Sequence, residues 1–99
     1  MYARVTNVTI DPNRFDEAID IYQNNVVAAL EGQPGFVSTV LLGDRVTGKS
    51  MTVTIWETEA DEQETVQSGF FQEQVGKFGT IITTIPQRQA LEVLVQAYS

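Results

Sequence analysis

The spacing of apolar residues changes from strand-like to helix-like within the first third of this chain, and this change limits the possible folds more than any other feature. The run Tyr2–Ile10 is rich in Val, Thr and Ile and is closed by the turn-forming residues Asp11–Asn13, so it predicts a strand. From Arg14 onward the apolar residues recur with helical spacing, as Phe15, Ala18, Ile19, Tyr22, Val26, Ala29 and Leu30. We expect one amphipathic helix there, capped by Asn13 and ended by Gly32.

A pair of strands is predicted to follow this helix. After the turn at Gln33–Gly35, apolar and β-branched residues fill Phe36–Leu42 and Ser50–Trp56. The loop Gly43–Gly48, bounded by glycines, joins these two runs and is typical of a hairpin. We therefore expect the two strands to be antiparallel neighbours.

The last part of the chain is predicted to contain a helical region and a closing strand. Negative charge is concentrated from Glu57 to Glu64, as expected for the first turn of a helix, where the helix dipole favours it. We expect this helix to end near Gly69. A second helical piece follows, with Phe70, Phe71, Gln74, Val75 and Phe78. The run Gln89–Tyr98 is predicted to be the final strand.

The resulting order is strand, helix, strand, strand, helix, strand, in a chain whose 99 residues suit one domain. This order is typical of an α+β, ferredoxin-like split βαβ fold with a four-stranded antiparallel sheet. In Phe36–Leu42 both phases of the strand carry large apolar side chains, which indicates that both sheet faces are covered. We expect a second copy to provide the second cover, giving a homodimer through the sheet faces. The alternative is a sheet covered by its own helices only, with scattered surface hydrophobes.

Two residue types are absent, and their absence excludes several kinds of chemistry. The chain has no Cys and no His, so it has no thiol nucleophile, disulfide, Ser-His-Asp triad or proximal histidine for haem. Its formal charge of −7 disfavours nucleic acid and anionic membranes as partners. No apolar run approaches ~20 residues and no leader-like segment opens the chain, so we expect a cytoplasmic protein. The acidic run is expected to be a solvated helix start rather than a metal site.

Trp56 and Asn7 are the candidate catalytic residues. Trp56, the only Trp, ends the third predicted strand, and its indole N–H can donate to a ligand, although a Trp in such a place also serves as a core or dimer plug. Asn7 lies in mid-strand, where Asn is disfavoured, so we expect it to make a specific hydrogen bond, either to a ligand or within the sheet. Arg4 is expected to pair with a carboxylate such as Glu92 on a neighbouring strand, and a contact with substrate is the alternative.

Aromatic residues are the candidate binding residues. They occur in the predicted helices and in the second strand, as Tyr22, Phe36, Phe70, Phe71 and Phe78. We expect them either to line a pocket between helices and sheet for a small hydrophobic or aromatic molecule, or to belong to the core.

Five short motifs, taken in order, carry a resemblance to a known family. They are Ala3–Thr6, the turn Gln33–Phe36, Leu41–Leu42 with Asp44, Thr47–Lys49 and Thr54–Glu57. Together they resemble the antibiotic biosynthesis monooxygenase family of small dimeric α+β barrel proteins, over nearly the whole chain. The resemblance implies a ferredoxin-like protomer that dimerises through its sheet, with a pocket between helices and sheet.

The first function that the resemblance implies is a cofactor-independent oxygenase. In such enzymes an electron-rich aromatic substrate, polyketide-like or quinol, reduces O₂ itself without cofactor or metal, and hydrogen-bond donors stabilise its anion. Trp56 matches a Trp of these enzymes. Thr52 stands where they carry Asn, and we take it as a substrate-binding position, whereas Glu62 stands where they carry Tyr.

Two other functions occur among proteins with this resemblance. Haem degradation is disfavoured: Asn7 matches the Asn of those members, but Thr65 stands at the place of their Trp and Val75 near that of their iron-ligating His. The other is a non-enzymatic barrel that holds or senses a small hydrophobic metabolite. We expect the cofactor-independent oxygenase, with the binding protein as the alternative.

Overall fold

A four-stranded antiparallel sheet, backed on one face by helices, forms the fold of this protein in a computed structural model that describes residues 1–99. The strands are β1 (Tyr2–Thr9), β2 (Phe36–Gly43), β3 (Lys49–Trp56) and β4 (Gln87–Glu92). The helices are α1 (Phe15–Ile21), α2 (Val27–Glu31), α3 (Glu59–Gln67) and α4 (Phe70–Gly76), with a π-helical segment at Tyr22–Val26 and 3₁₀ turns at Pro12–Arg14 and Gly79–Ile81. The strand order β2-β3-β1-β4 confirms the predicted ferredoxin-like α+β fold.

The first helical region is continuous, since α1 passes through the π-helical segment into α2. Gly32 follows its last residue, as the sequence predicts. The expectation that Asn13 caps its start is wrong. A 3₁₀ turn precedes α1, and the side chain of Asp11 caps that turn by accepting the N–H of Asn13 at 3.0 Å. Pro12 at the first position of the turn has no N–H to satisfy, so the cap falls on the residue before it.

Register assigns the residues of the sheet to two faces. Tyr2 of β1 lies opposite Trp56 of β3 on one side and opposite Glu92 of β4 on the other. The face toward the helices carries Arg4, Thr6, Val8, Thr52, Thr54 and Trp56. The opposite face carries Ala3, Val5, Asn7, Met51, Val53 and Ile55. Alternate residues of a strand point to opposite faces, so the chain covers the first face and leaves the second without a layer of its own.

The loop between β2 and β3 closes against the end of β1. Gly48 has a φ of +84°, and its carbonyl accepts the N–H of Ile10 at 2.8 Å. A Cβ at Gly48 would overlap the carbonyl oxygen of Ile10. Glycine is therefore required both by the backbone angle and by the close approach of this position to the backbone of Ile10.

The second helical region follows the predicted pattern. Thr58 caps α3, its hydroxyl accepting the N–H of Asp61 at 3.0 Å, and acidic residues occupy the first turn. The helix ends just before Gly69, whose φ of +86° lets the chain turn into α4. No helix in the structure is both long and apolar enough to span a bilayer.

The predicted final strand is too long. β4 ends at Glu92 and does not continue to Tyr98. β1 begins at Tyr2, directly opposite Glu92, and the N–H of Val93 makes the last ladder bond, to Met1 at 2.9 Å. Beyond this point the sheet offers no partner strand, so β-propensity alone does not extend β4. The apolar side chains of the remaining segment are exposed: Leu94, Val95 and Tyr98.

Candidate functional site

A cavity of about 80 Å³ lies between the helices and the sheet. Fifteen residues form its wall, and ten of them are hydrophobic. The sheet contributes Arg4, Thr6, Val8, Leu41, Thr52 and Thr54; the helical side contributes Tyr22, Val26, Leu30, Phe70, Phe71, Gln74, Val75 and Phe78, and Ile82 completes the wall. A mainly apolar wall with a few polar groups is typical of a site for a small organic molecule.

The π-helical segment supplies two residues of this wall. A π turn inserts one extra residue into the helix and is frequent at functional sites. Here the segment begins with Tyr22 and ends with Val26, and both line the cavity. The hydroxyl of Tyr22 hydrogen-bonds Thr39 of β2, whose hydroxyl lies 3.0 Å from that of Thr54 in β3. This chain of hydroxyls ties the helix to two strands and holds the Tyr22 ring against the cavity.

Arg4 is the only charged residue in the cavity wall. Its side chain is buried, with 4% of the residue exposed, and its Nη1 donates to Oγ1 of Thr65 at 2.6 Å. The guanidinium carbon lies 4.8 Å from the ring centre of Phe71 and 5.5 Å from that of Trp56, distances typical of cation–π contacts. The expected pairing of Arg4 with Glu92 is wrong: Glu92 lies opposite Tyr2 and is exposed.

Two further charged side chains lie next to this position. Glu62 of α3 is 1% exposed, and its Oε1 accepts from Nη1 of Arg88 at 3.5 Å. Burial lowers the pKa of the Arg4 guanidinium; the Glu62 carboxylate opposes this shift, and Arg88 adds to it. An arginine with a lowered pKa is still a cation at neutral pH.

Three buried polar atoms have no hydrogen-bond partner: Nε1 of Trp56, Oε2 of Glu62 and Oε1 of Gln74. Gln74 belongs to the cavity wall, and 7% of the residue is exposed. Native proteins satisfy most buried polar groups, so an unpaired amide oxygen at a cavity marks an acceptor available to a ligand.

Of the predicted site residues, five line the cavity together: Tyr22, Thr52, Phe70, Phe71 and Phe78. Trp56 and Phe36 lie behind the wall, where they pack edge to face with their ring centres 5.9 Å apart. Trp56 is completely buried and supports the wall through its contact with Arg4.

Asn7 lies elsewhere. Its side chain belongs to the uncovered face of the sheet, opposite Met51 and Gln87, and it is exposed. Asn7 and Trp56, the two candidate catalytic residues, therefore lie on opposite faces of the sheet and do not share a pocket. The physical reason is strand alternation: Trp56 lies opposite Tyr2, an even position of β1, whereas Asn7 is in the odd phase.

Sequence reasoning missed most of the polar residues of the cavity wall. Thr6, Thr54 and Gln74 line it, and none was predicted as a site residue. Arg4 lines it too, and a substrate contact was only the alternative to its expected ion pair. A signal existed for the strand residues, because the even positions of β1 and β3 share a face with Trp56. Nothing in the local pattern distinguished Gln74 from the exposed glutamines around it.

The acidic run does not form a metal site. No group of three or more Asp, Glu, His or Cys side chains converges in the structure. Glu59 and Glu64 are exposed, as expected for a solvated helix start, whereas Glu62 turns inward toward Arg88.

A family model described as antibiotic biosynthesis monooxygenase matches residues 1–77. The chain belongs to the antibiotic biosynthesis monooxygenase family. No curated protein sequence matches it significantly.

Solved structures share the fold of this family member over almost its full length. SnoaB of Streptomyces nogalater, a cofactor-independent oxygenase, has 16% identity and a TM-score of 0.70, with 96% of this chain and 94% of that chain covered. The ActVA-Orf6 monooxygenase of Streptomyces coelicolor, in complex with nanaomycin D, has 12% identity and a TM-score of 0.78, with 99% and 91% covered. The haem degrader MhuD of Mycobacterium tuberculosis, with two haems in its active site, has 17% identity and a TM-score of 0.78, with 99% and 100% covered. At these identities the likeness shows the fold.

Within the antibiotic biosynthesis monooxygenase family, the cavity of this chain does not fit haem. Val75, near the place of the iron-ligating His in the haem-degrading members, lines the cavity with an apolar side chain. The Tyr22 hydroxyl, the wall group that belongs to a class of haem ligands, is hydrogen-bonded to Thr39. The volume of about 80 Å³ is also smaller than the ~150 Å³ of a cavity that holds benzene.

Proposed function

We propose that this protein is a cofactor-independent monooxygenase that acts on an electron-rich aromatic substrate, a phenol or quinol. The observation that carries the proposal is the apolar, phenylalanine-rich cavity whose one charged residue is the cation Arg4. An aromatic ring fits such a wall, and a buried cation stabilises the anion that the ring forms when it loses a proton.

The proposed reaction uses the substrate as the reductant. A phenol that has hydrogen at the carbon para to its hydroxyl reacts with O₂ to give a para-quinone and water. One oxygen atom becomes the new carbonyl, the other leaves as water, and the ring supplies all four electrons. The phenolate is far more easily oxidised than the phenol, so stabilising the phenolate is the main task of the protein.

Three residues have proposed roles in this reaction. Arg4 lies beside the substrate oxygen and stabilises its negative charge. Tyr22, held by Thr39, orients the ring from the helical side. Trp56 does not reach the cavity; it packs on Arg4 at 5.5 Å and keeps the guanidinium in place, so we propose it as a positioning residue.

Oxygen uptake by purified, chelator-treated protein tests the proposal. A panel of phenols, quinols and anthrone-type compounds should include at least one that supports O₂ consumption with formation of its quinone. Trp56→Phe should slow this uptake by roughly tenfold while the exposed-loop variant Val46→Ala leaves it unchanged, because a displaced guanidinium loses about one charge-assisted hydrogen bond in the transition state. Quinone formation that requires added metal or flavin would contradict the proposal.

A second candidate function is binding without catalysis. It is favoured by Glu62, which stands where the resembled oxygenases carry Tyr and is buried in an ion pair with Arg88, outside the cavity wall. Saturable binding of a phenol without any O₂ uptake across the panel would support this function.

We further propose that the protein forms a homodimer through the uncovered face of its sheet. Val40, Leu42 and Leu91 on this face are 45–50% exposed, next to Met51 and Ile55. A contiguous apolar surface of this kind on a small domain is typical of an interface. The self-complementary contact of a two-fold dimer would cover it in both copies.

A further inference from the structure

The charges next to the cavity do not balance. The buried Arg4 and the partly exposed Arg88 contribute two positive charges, and the buried Glu62 contributes one negative charge. Glu62 pairs with Arg88 at 3.5 Å, whereas no carboxylate lies within ion-pair distance of Arg4, whose hydrogen-bond partner is the neutral hydroxyl of Thr65. The structure therefore leaves one buried cation without an anionic partner.

An unpaired buried cation is costly unless something compensates it. The faces of Phe71 and Trp56 supply part of this compensation through cation–π contacts. Arg4 also borders the cavity, where no other charged residue is present. An anionic oxygen in the cavity would complete the charge balance and accept the guanidinium donors that Thr65 leaves free.

Gln74 adds a second requirement. The residue belongs to the same wall, and its Oε1 is buried without a hydrogen-bond partner. An amide oxygen accepts hydrogen bonds, so the group that it recognises is an O–H or N–H donor. The cavity thus combines one cation, one free acceptor and an aromatic wall.

Size sets the third requirement. The cavity of about 80 Å³ is smaller than the ~150 Å³ cavity that accommodates benzene in another protein. The cavity is therefore tight even for one ring, part of which must lie in the opening, whereas a second fused ring requires the helices to move away from the sheet.

We propose that the ligand of this cavity is a single-ring aromatic compound that carries one anionic oxygen, carboxylate or phenolate, and one hydroxyl donor. Arg4 binds the anionic oxygen and Gln74 accepts from the hydroxyl. This inference rests on the proposed function in one respect: it takes the cavity described above as the substrate site. Only a ligand with its phenolate oxygen at Arg4 is a substrate for the proposed oxygenase. A ligand with its carboxylate at Arg4 places its hydroxyl at Gln74 and is bound without entering that reaction.

Calorimetric binding of matched one-ring compounds to the full chain tests the proposal under anaerobic conditions. 4-Hydroxybenzoate should bind at least about tenfold more tightly than the neutral 4-hydroxybenzamide, the ratio expected for a hydrogen bond to a charged group. It should also bind more tightly than benzoate, which lacks the hydroxyl, and more tightly than 6-hydroxy-2-naphthoate, which has a second ring. 4-Nitrophenol, measured above its own pKa so that it is present as the phenolate, tests whether Arg4 binds a phenolate oxygen as well as a carboxylate.

Three variants, at Arg4 and Gln74, test which side chains recognise the ligand. Arg4→Met should reduce the ratio of 4-hydroxybenzoate to 4-hydroxybenzamide affinity to about one, whereas Arg4→Lys should retain a preference for the anion. Gln74→Leu should remove the preference for 4-hydroxybenzoate over benzoate. If Arg4→Met does not fold, the amide and naphthoate comparisons on the unmodified chain decide the question alone. Equal binding of acid and amide to the unmodified protein would overturn the proposal.

The outcome separates the two proposals. Selective anaerobic binding without O₂ uptake would reject the oxygenase and retain the ligand class. O₂ uptake with phenols that show no preference for the anion or for one ring would retain the oxygenase and reject the ligand class.

Discussion

One carboxylate organises the loop between β2 and β3. Oδ1 of Asp44 accepts the N–H of Val46 at 2.8 Å and that of Thr47 at 3.2 Å. These backbone hydrogen bonds, with a smaller contribution from the charge of Lys49, lower the pKa of the Asp44 carboxyl. An exposed residue thus becomes a pH-sensitive part of the fold.

Replacing Asp44 should make the free energy of unfolding depend less on pH in the acidic range. The folded-state pKa of Asp44 lies below its unfolded value of about 3.9. Its ionised form therefore stabilises the folded protein above that value, and the contribution disappears as the pH falls through the folded-state pKa. Asp44→Asn should be less stable than the wild type at neutral pH, and the two should converge in acid. Urea unfolding across this range measures the difference, with Glu64→Gln as a charge-matched change outside the loop.

A constant difference at every pH would show that the charge of Asp44 is not responsible.

At the same scale, the sequence identified the aromatic wall residues Tyr22, Phe70 and Phe71, because bulky apolar side chains at helical spacing turn toward the sheet. The sequence did not predict the partners of Arg4, since the sign and position of a partner charge depend on which strand and helix pack against this residue.

Two glycines, one in the loop between β2 and β3 and one in α4, differ in what an added side chain would meet. Gly48 combines a positive φ with a position at which a Cβ would overlap the carbonyl oxygen of Ile10. Gly76, the last residue of α4, has open space around the position of a Cβ and no positive φ. The two glycines therefore differ in their tolerance of a methyl group.

Alanine substitutions at these glycines should have opposite effects. Gly48→Ala should lower the free energy of unfolding by at least roughly 1–2 kcal/mol, the cost of left-handed backbone for a residue with a Cβ, and the overlap with Ile10 adds to it. Gly76→Ala should raise it by about 0.5–1 kcal/mol through lower chain entropy in the unfolded state. Chemical denaturation of both variants gives the two values. Equal effects of the two changes would show that the contact at Gly48 carries no strain.

At the scale of elements, periodicity located every strand and helix but not their ends. The start of α1 depends on Asp11 rather than Asn13, because Pro12 shifts the cap by its missing N–H. The end of β4 depends on the start of β1, since a strand continues only while its neighbour does. The π-helical turn at Tyr22–Val26 follows no local signal and is set by packing against the sheet.

The whole molecule has one sheet face that its own chain does not cover. Val40 and Leu42 of the edge strand β2 lie on this face, opposite Val53 and Met51 of β3. Burial of this face in a second copy would remove apolar area from water in both protomers.

A lysine on this face should prevent dimerisation. Val40→Lys would place a charge from each protomer in the proposed interface and should weaken the dimer by roughly 100-fold. The matched control is Val46→Lys, at an 86% exposed position of the β2–β3 loop. Light scattering with size-exclusion chromatography measures the mass. A wild-type mass of one chain at micromolar concentration would reject the dimer.

The sequence by itself determined the order of strands and helices, because that order follows from the local period of apolar residues and from turn residues between them. It also determined that no histidine is present to bind haem iron. Alternation along β1 already places Arg4 and Asn7 on opposite faces of the sheet. Only the tertiary structure decided which of these faces the helices cover, that Glu62 pairs with Arg88, and that the cavity is small. These properties arise where different elements meet, and the pattern within any one element does not contain them.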